Sequence, residues 1–266
     1  MGARLNTPAA PAALPPEPSL VDLQRTLYDS RNPTRRWLHR ERLDLVTSKI
    51  HAIADADATG RALEVGAGAG PYIGTLCDLY DEVIATDIES EYLDHVRAVY
   101  SERPNLTLLE DDIAASALGA ESVDLVLCSE VIEHTPDPEA VVGGIAKVLR
   151  PGGSLILSTP QPWSTVELLG RVAFRPGMIR IARVIYREPV LPPGHISLVR
   201  RRRLRAMLER SGFEITSEIV FGMYLPVLAE LGGERVLRWE QWLDRRLRNG
   251  PLAGLLWTQL WTAVRT

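Results

Sequence analysis

Short apolar runs alternate with stretches of helical periodicity along the middle of the chain, and this alternation constrains the fold more than any other feature. Apolar runs bounded by helices are typical of parallel strands joined by crossover helices. Strands in such a sheet are buried on both faces, so the runs predict a doubly wound α/β sheet. The five runs occupy residues 62–65, 82–86, 106–109, 123–128 and 154–158.

The residues after the fifth run extend this sheet. We predict a helix over 200–211, a strand over 213–221, a helical insertion over 224–250 and a last strand over 256–266, for which a helix is the alternative. The expected fold is therefore a mostly parallel, seven-stranded sheet with helical insertions. The predicted divisions are a disordered leader (1–18), N-terminal helices (19–60), a ligand-binding core (61–160), an insertion above the sheet (161–193) and the C-terminal part of the fold (194–266).

Composition excludes several classes of protein. A chain of 266 residues that is 45% hydrophobic and 24% charged can bury a substantial core, which argues against disorder and fibres. Cys77 and Cys128 are too few and too far apart for a thiolate metal site or a disulfide framework, and this favours a reducing, cytoplasmic location. No apolar stretch reaches the roughly 20 residues of a transmembrane helix.

A glycine-rich loop follows the first predicted strand. Gly66, Gly68 and Gly70 lie between a strand and a helix, where glycine lets the backbone approach a ligand closely. The dinucleotide-binding fingerprint would need glycine at position 71, where this chain has Pro71. Glu64 closes the strand, and its carboxylate would repel a pyrophosphate but suits a cationic ligand.

More acidic residues end the next two strands. Asp87 lies about 20 residues beyond the loop. In doubly wound folds that bind nucleotides, an acid at this position accepts hydrogen bonds from both ribose hydroxyls. The alternative role for Asp87 is to cap the next helix. Residues 110–112 end the third strand. A carboxylate there could contact the exocyclic amine of an adenine, with Ile113 against the ring. The alternative, equally compatible with the sequence, is that these acids belong to a solvated loop. These strand ends predict one crevice at the carboxyl edge of the sheet.

These residues, together with segments 123–134 and 149–153, resemble class I S-adenosylmethionine-dependent methyltransferases of the type 11 or ubiquinone-biosynthesis-like group. The resemblance implies a Rossmann-like fold, S-adenosyl-L-methionine as cofactor and S-adenosyl-L-homocysteine as product. It also implies that 161–193 form a substrate cap. The positions that the resemblance assigns to the cofactor are Glu64, Gly66, Ala67, Gly68, Gly70, Asp87, Ile88, Asp112, Ile113, Ser129 and Glu130.

Methyl transfer to a hydroxyl requires alignment of donor and acceptor and removal of a proton. His134, His195 and Glu130 are the candidate catalytic residues. His134 could instead be a structural hydrogen-bonding group, and Glu130 could line the cofactor. His39 is expected to face solvent. No cluster of cysteine, histidine and carboxylate is evident in the sequence, so we expect catalysis without a metal.

Charge is distributed unevenly along the chain. The net charge is −4, which argues against a nucleic-acid partner, yet residues 163–210 hold eleven Arg and three Glu, a net of +8. This balance favours an acceptor that carries negative charge. An alternative interpretation of part of this region is that residues 178–187 form a helix that lies on a membrane surface. Trp239 and Trp242 could form a substrate lid or a homodimer contact.

The predicted function is methylation of oxygen or nitrogen in a small molecule of biosynthesis or secondary metabolism. One alternative is a peripheral membrane methyltransferase whose acceptor is lipid-linked or quinone-like. A second alternative is a module that binds the cofactor without catalysis. No transmembrane segment is expected.

Overall fold

The computed structural model describes residues 19–56, 60–173 and 194–266, which form one sheet with helices on both faces. The predicted leader and residues 174–193 of the predicted cap lie outside these ranges. No helix in the described ranges has the length and apolar character needed to cross a bilayer. The described helices are α1 (Leu20–Tyr28), α2 (Pro33–Ala56), α3 (Ile73–Leu79), α4 (Ser90–Val99), α5 (Pro138–Val148), α6 (Thr165–Ala173), α7 (Arg201–Arg210) and α8 (Pro226–Leu247).

The sheet has seven strands in the order β3-β2-β1-β4-β5-β7-β6. Strands β1 to β5 pair in parallel, and β7 is antiparallel to both of its neighbours, β5 and β6. The predicted mostly parallel, seven-stranded sheet is confirmed. The strands are β1 (Arg61–Val65), β2 (Glu82–Asp87), β3 (Leu106–Glu110), β4 (Val123–Ser129), β5 (Leu149–Pro160), β6 (Phe213–Phe221) and β7 (Thr258–Arg265).

One predicted boundary differs from the structure, and the last element matches its predicted strand. β5 begins at Leu149 instead of 154, because Leu149 already pairs with Val123 before a register shift. The last element is a strand and not a helix, because its backbone completes ladders with β5 on one side and β6 on the other.

Each face of the sheet carries its own hydrophobic core. Alternate strand residues point to opposite faces, so Leu63 packs in the core that includes Val141 of α5, whereas Ala62 packs in the core that includes Val46 of α2. Burial on both sides explains why the strands read as continuous apolar runs.

The strand order reverses at β1, which lies between β2 and β4. Crossover connections leave this point in opposite directions and open a crevice at the carboxyl ends of the strands. The residues that end β1, β2, β3 and β4 border this crevice.

Candidate active site

The glycine loop (residues 66–70) follows β1 and turns the chain toward α3. Gly66, Gly68 and Gly70 have φ angles of 69°, 53° and 74°, in the left-handed region that favours glycine. A Cβ atom at Gly66 would lie 2.5 Å from Cγ2 of Val131, so a side chain would not fit there. The loop therefore requires glycine both for its conformation and for its close passage past the end of β4.

Helix α1 contacts the glycine loop from outside the sheet. The amide of Ala69 donates a hydrogen bond to Oε1 of Gln24 (2.5 Å), and a Cβ atom at Gly68 would lie 2.6 Å from the amide nitrogen of Gln24. Gln24 was not predicted to reach the loop, because one polar residue on a helix carries no signal of a contact 45 positions away.

Glu64 is buried, with 2% of its surface exposed, and its Oε2 has no hydrogen-bond partner among the described residues. Burial raises the pKa of this carboxyl well above its usual value, and the nearby Asp87 raises it further. A buried carboxylate without a donor is costly, and a cation or a donor placed against Oε2 would offset this cost. The position therefore fits the cationic ligand that the sequence predicts.

Asp87 ends β2 and is also buried. Its Oδ2 accepts a hydrogen bond from the amide of Gly68 (2.9 Å), and its Oδ1 accepts one from the amide of Glu89 (3.0 Å). Each carboxylate oxygen can accept a second hydrogen bond, so these contacts orient Asp87 and leave capacity for ligand hydroxyls. The next side chain, Ile88, is 67% exposed beside the crevice.

The residues after β3 form a short turn. Oδ1 of Asp112 accepts a hydrogen bond from the amide of Ala114 (3.0 Å) and caps the 3₁₀ turn Ile113–Ala115, while its side chain stays exposed. Ile113 is buried in the core beneath α5. Its predicted contact with an adenine ring stays a prediction, as does that of Asp112 with the exocyclic amine; the exposed Ile88 offers an apolar surface at the same edge.

The end of β4 carries a network of polar side chains. Ser129 Oγ lies 2.9 Å from Ser158 Oγ, and Ser158 Oγ donates a hydrogen bond to Glu130 Oε1 (2.9 Å). The other oxygen of Glu130 pairs with the guanidinium of Arg42 at 2.8 Å, and both side chains are largely buried. Glu130 has a positive φ of 57°, an uncommon conformation outside glycine that is held by these contacts.

Arg42 belongs to α2 and was not predicted to reach the crevice. Burial alone would lower its pKa, but the carboxylate of Glu130 outweighs this effect and the pKa is raised. Arg42 also lies 3.3 Å from Nδ1 of His39. The prediction that His39 faces solvent is wrong: His39 is buried, and burial and Arg42 lower its pKa.

Four titratable side chains meet beyond the end of β4. Glu133 is buried and its Oε2 accepts a hydrogen bond from Thr159 Oγ1 (2.9 Å). The rings of His134 and His195 lie 5.4 Å apart, and Nδ1 of His195 is 3.0 Å from Oε1 of Glu167 in α6. The structure thus brings the two predicted catalytic histidines together. Glu133 and Glu167 were missed, since neither follows a motif that marks such a contact.

The other predicted residues lie away from this cluster. Trp239 and Trp242 of α8 are each 46% exposed, and their predicted role as a lid or a homodimer contact stays a prediction. Within the positively charged region 163–210, the four arginines that we expect to meet an anionic acceptor are Arg175, Arg180, Arg183 and Arg187, and all four lie outside the described residues.

Comparison with known proteins adds to this geometry. Residues 63–157 match a model of a methyltransferase domain. The chain is 33% identical over 233 residues to a Mycolicibacterium smegmatis protein named probable S-adenosylmethionine-dependent methyltransferase, covering 86% of this chain and 79% of that protein. It is 31% identical over 206 residues to a ubiquinone biosynthesis O-methyltransferase of Xanthomonas axonopodis pv. citri, covering 74% of this chain and 78% of the relative.

The fold is also shared with solved structures. An S-adenosylmethionine-dependent methyltransferase from Mesorhizobium loti superposes with a TM-score of 0.56 at 19% identity, covering 84% of this chain and 100% of that one. This likeness concerns the fold, whereas the sequence identity to the mycobacterial protein extends over most of both chains. The chain belongs to the class I S-adenosylmethionine-dependent methyltransferases.

Proposed function

We propose that the enzyme transfers a methyl group to an oxygen or nitrogen atom of a small biosynthetic acceptor. The observation that carries this proposal is the pair of imidazoles, His134 and His195, just beyond the strand that ends in Ser129. An oxygen acceptor has to lose a proton, and imidazole is suited to proton transfer near neutral pH. The Xanthomonas relative is named an O-methyltransferase, which supports oxygen as the acceptor atom.

S-adenosyl-L-methionine supplies an electrophilic methyl carbon on a positively charged sulfur. We assign its amino-acid portion to Glu64 and the glycine loop, because the unpartnered Oε2 of Glu64 would accept a hydrogen bond from an ammonium group. We assign its ribose to Asp87, and its adenine to Ile88 and Asp112. Ser129 and Glu130 complete the cofactor side, and Ala67, which is buried in the loop, supplies backbone.

The acceptor side is assigned to the residues beyond β4. Glu130 is held by Arg42 and Ser158, so its part is to orient its neighbours and not to take up the acceptor proton. Burial lowers the pKa of His134, and His195 lowers it further, which keeps this imidazole neutral at physiological pH. Loss of the acceptor proton is therefore assigned to the histidine cluster.

The test is conversion of the cofactor to S-adenosyl-L-homocysteine with panels of phenols, catechols and amines. His134→Ala and His195→Ala should each lower kcat by about 10²- to 10⁴-fold, the usual range for a general acid or base, with cofactor affinity unchanged. His51→Ala, on the exposed face of α2, is the matched control. Full activity in both cluster variants would contradict the assignment.

A lipid-linked or quinone-like acceptor is the second candidate, and the name of the Xanthomonas relative favours it. Residues 178–187, the segment predicted to lie on a membrane, are outside the described residues. Co-sedimentation with anionic liposomes, together with lower KM for long-tailed than for short-tailed phenols, would support this candidate. Equal KM values and no co-sedimentation would favour a freely diffusing acceptor.

A further inference from the structure

We propose that Glu133, His134 and His195 form a binding site for a divalent metal ion of the zinc class, on the acceptor side of the active site, with Glu167 beside the ring of His195. The proposal rests on the proposed methylation of an oxygen atom, which it deepens by assigning the acceptor a metal-bound hydroxyl. It replaces the expectation of a site without metal. Two imidazoles and one carboxylate are a ligand set that suits zinc, and they leave a fourth position for water or the acceptor.

The spacing of the ligand atoms fits one ion. Glu133, His134 and His195 each offer a ligand atom, and these atoms all lie within 4.8 Å of one another. Nε2 of His134 is 4.0 Å from Oε1 of Glu133. In a tetrahedral zinc site with bonds of about 2.0 to 2.2 Å, neighbouring ligand atoms are roughly 3.3 to 3.6 Å apart. The half-exposed His134 side chain can supply the required movement of about 1 Å.

Three atoms of the cluster are buried without a hydrogen-bond partner in the described part of the chain. They are Oε1 of Glu133, Oε1 of Glu167 and Nδ1 of His195. The last two lie 3.0 Å apart but are not aligned for a hydrogen bond. Buried polar atoms are nearly always satisfied in native proteins, so an unsatisfied carboxylate oxygen of Glu133 beside two imidazoles indicates a missing partner. A cation between Glu133, His134 and His195 would satisfy this oxygen, and Glu167 would orient the ring of His195.

Contacts around the cluster orient its ligands as in metal sites. Nδ1 of His134 lies 3.3 Å from the carbonyl oxygen of Gly194, a contact that requires the proton on Nδ1 and leaves the Nε2 lone pair toward Glu133. Thr159 holds the other oxygen of Glu133. The amides of Ile196 and Ser197 donate hydrogen bonds to the carbonyl oxygen of Glu133 at 2.8 and 2.9 Å, which joins the segment of His195 to the turn after β4.

Electrostatics agree with a bound cation. Glu133 is buried, with 1% of its surface exposed, so its carboxylate needs a compensating charge. Glu130 itself is not available as a ligand, because Arg42 and Ser158 occupy both of its oxygens. A divalent ion would compensate the buried carboxylate of Glu133, which has no cation of its own within hydrogen-bond distance in the described residues.

The ion would act on the acceptor and not on the cofactor. A hydroxyl oxygen bound to zinc would lose its proton far more readily than a free one; with the ion bound, the imidazoles would hold the metal and the proton would pass to water instead of to a histidine. The resulting oxygen anion would be held in place to attack the methyl carbon, with S-adenosyl-L-homocysteine as the leaving group. A substrate with two adjacent oxygens would bind more tightly, because both can contact the same ion.

The experiment measures metal binding directly, with the full-length enzyme after removal of metal by a chelator. Titration calorimetry with zinc and elemental analysis should show one ion per chain. The cobalt-substituted protein should show the intense visible absorption of a four-coordinate site. His195→Ala and Glu167→Gln should each weaken zinc binding at least tenfold, while His51→Ala on the exposed face of α2 leaves it unchanged.

Two further features keep the test decisive. The side chain of His134 is half exposed, so His134→Ala is expected to fold normally, which circular dichroism would check. Its zinc affinity is the third measurement and should also be weaker than that of the native enzyme. Zinc binding is measured without cofactor or acceptor, so failure to turn over any acceptor would count against the proposed function and leave the metal result intact. Less than about one tenth of an ion per chain, or unchanged affinity in all three variants, would overturn the site.

Discussion

Glu64 and Asp87 are neighbouring buried carboxyls that behave differently because their partners differ. Asp87 accepts hydrogen bonds from two backbone amides, whereas Oε2 of Glu64 has no partner in the described residues. Burial therefore raises the pKa of Glu64, and the charge of Asp87 adds to this effect. The carboxylate of Asp87 is therefore oriented by the backbone, while Glu64 gains most from a cationic ligand.

Replacing Asp87 should weaken cofactor binding. Asp87→Asn removes charge-assisted hydrogen bonds worth about 1.5 to 3 kcal/mol each, so the Kd for S-adenosyl-L-homocysteine should rise about tenfold to a hundredfold. Asp94→Asn, an exposed residue of α4, is the matched control. Calorimetry that finds the Asp87→Asn affinity within twofold of the native value would contradict the assignment.

Glu64 should also make the stability of the cofactor-free enzyme depend on pH. A carboxyl with a raised folded-state pKa contributes stability that is complete below its unfolded pKa of about 4.3 and is lost as the pH rises through the folded value. Each pKa unit corresponds to about 1.4 kcal/mol. The Tm of Glu64→Gln should therefore fall less than that of the native enzyme between about pH 5 and pH 8.

The control for this experiment is Glu102→Gln, which changes an exposed glutamate in the turn before β3. It should keep the native dependence of Tm on pH. If the curves of Tm against pH were parallel for the native enzyme and Glu64→Gln, the folded-state pKa of Glu64 would not be raised, which would contradict the prediction.

At the scale of elements, α2 is joined to the end of β4 by one buried ion pair. Arg42 of α2 and Glu130 after β4 lie 2.8 Å apart, and Ser158 of β5 holds the second oxygen of Glu130. Three elements therefore meet at one carboxylate. Removing one partner of such a pair leaves a buried charge without compensation, which costs more than the pair itself contributes.

Arg42→Met should lower the free energy of unfolding by about 3 to 5 kcal/mol, as measured by urea denaturation. The matched control is Arg40→Met on the same helix, whose guanidinium is mostly exposed and lies 3.7 Å from Asp29; it should change stability by less than about 1 kcal/mol. The double variant Arg42→Met/Glu130→Gln should recover part of the loss. Equal stability of the Arg42 and Arg40 variants would show that the pair does not hold α2 in place.

At the scale of the whole molecule, the arginine-rich region divides into two parts. Four of the five arginines of α7 already pair with acids of the sheet and of α5: Arg201 and Arg205 contact Glu218, and Arg203 and Arg210 contact Glu139. Those between 174 and 193 lie outside the described residues and are the ones proposed to attract an anionic acceptor.

If the acceptor is anionic, its KM should rise with salt, because ions screen the attraction between exposed charges over about 8 to 10 Å. Arg183→Ala should raise KM about two- to fivefold, corresponding to about 0.5 to 1 kcal/mol, without changing cofactor affinity. Arg202→Ala, on the exposed face of α7, is the control. A KM that is independent of salt, with a neutral acceptor, would overturn this proposal.

The sequence alone determined the sheet and the position of the glycine loop, because both depend on local patterns. Continuous apolar runs mark strands buried on two faces, and a glycine loop between Glu64 and Pro71 marks a backbone turn that only a few functions require. The positions of β1 to β4 and the order of the acidic residues at their ends followed from these patterns.

Only the tertiary structure decided which distant side chains share one site. Arg42 reaches Glu130 from α2, and Glu167 reaches His195 from α6. The residue types of Arg42, Glu130 and Glu167 are the same as those of the many arginines and glutamates on the surface. The burial of His39, predicted to face solvent, had the same cause. Such contacts depend on how helices cross the sheet and on what each buried charge meets there, and a pattern along the chain carries no record of either.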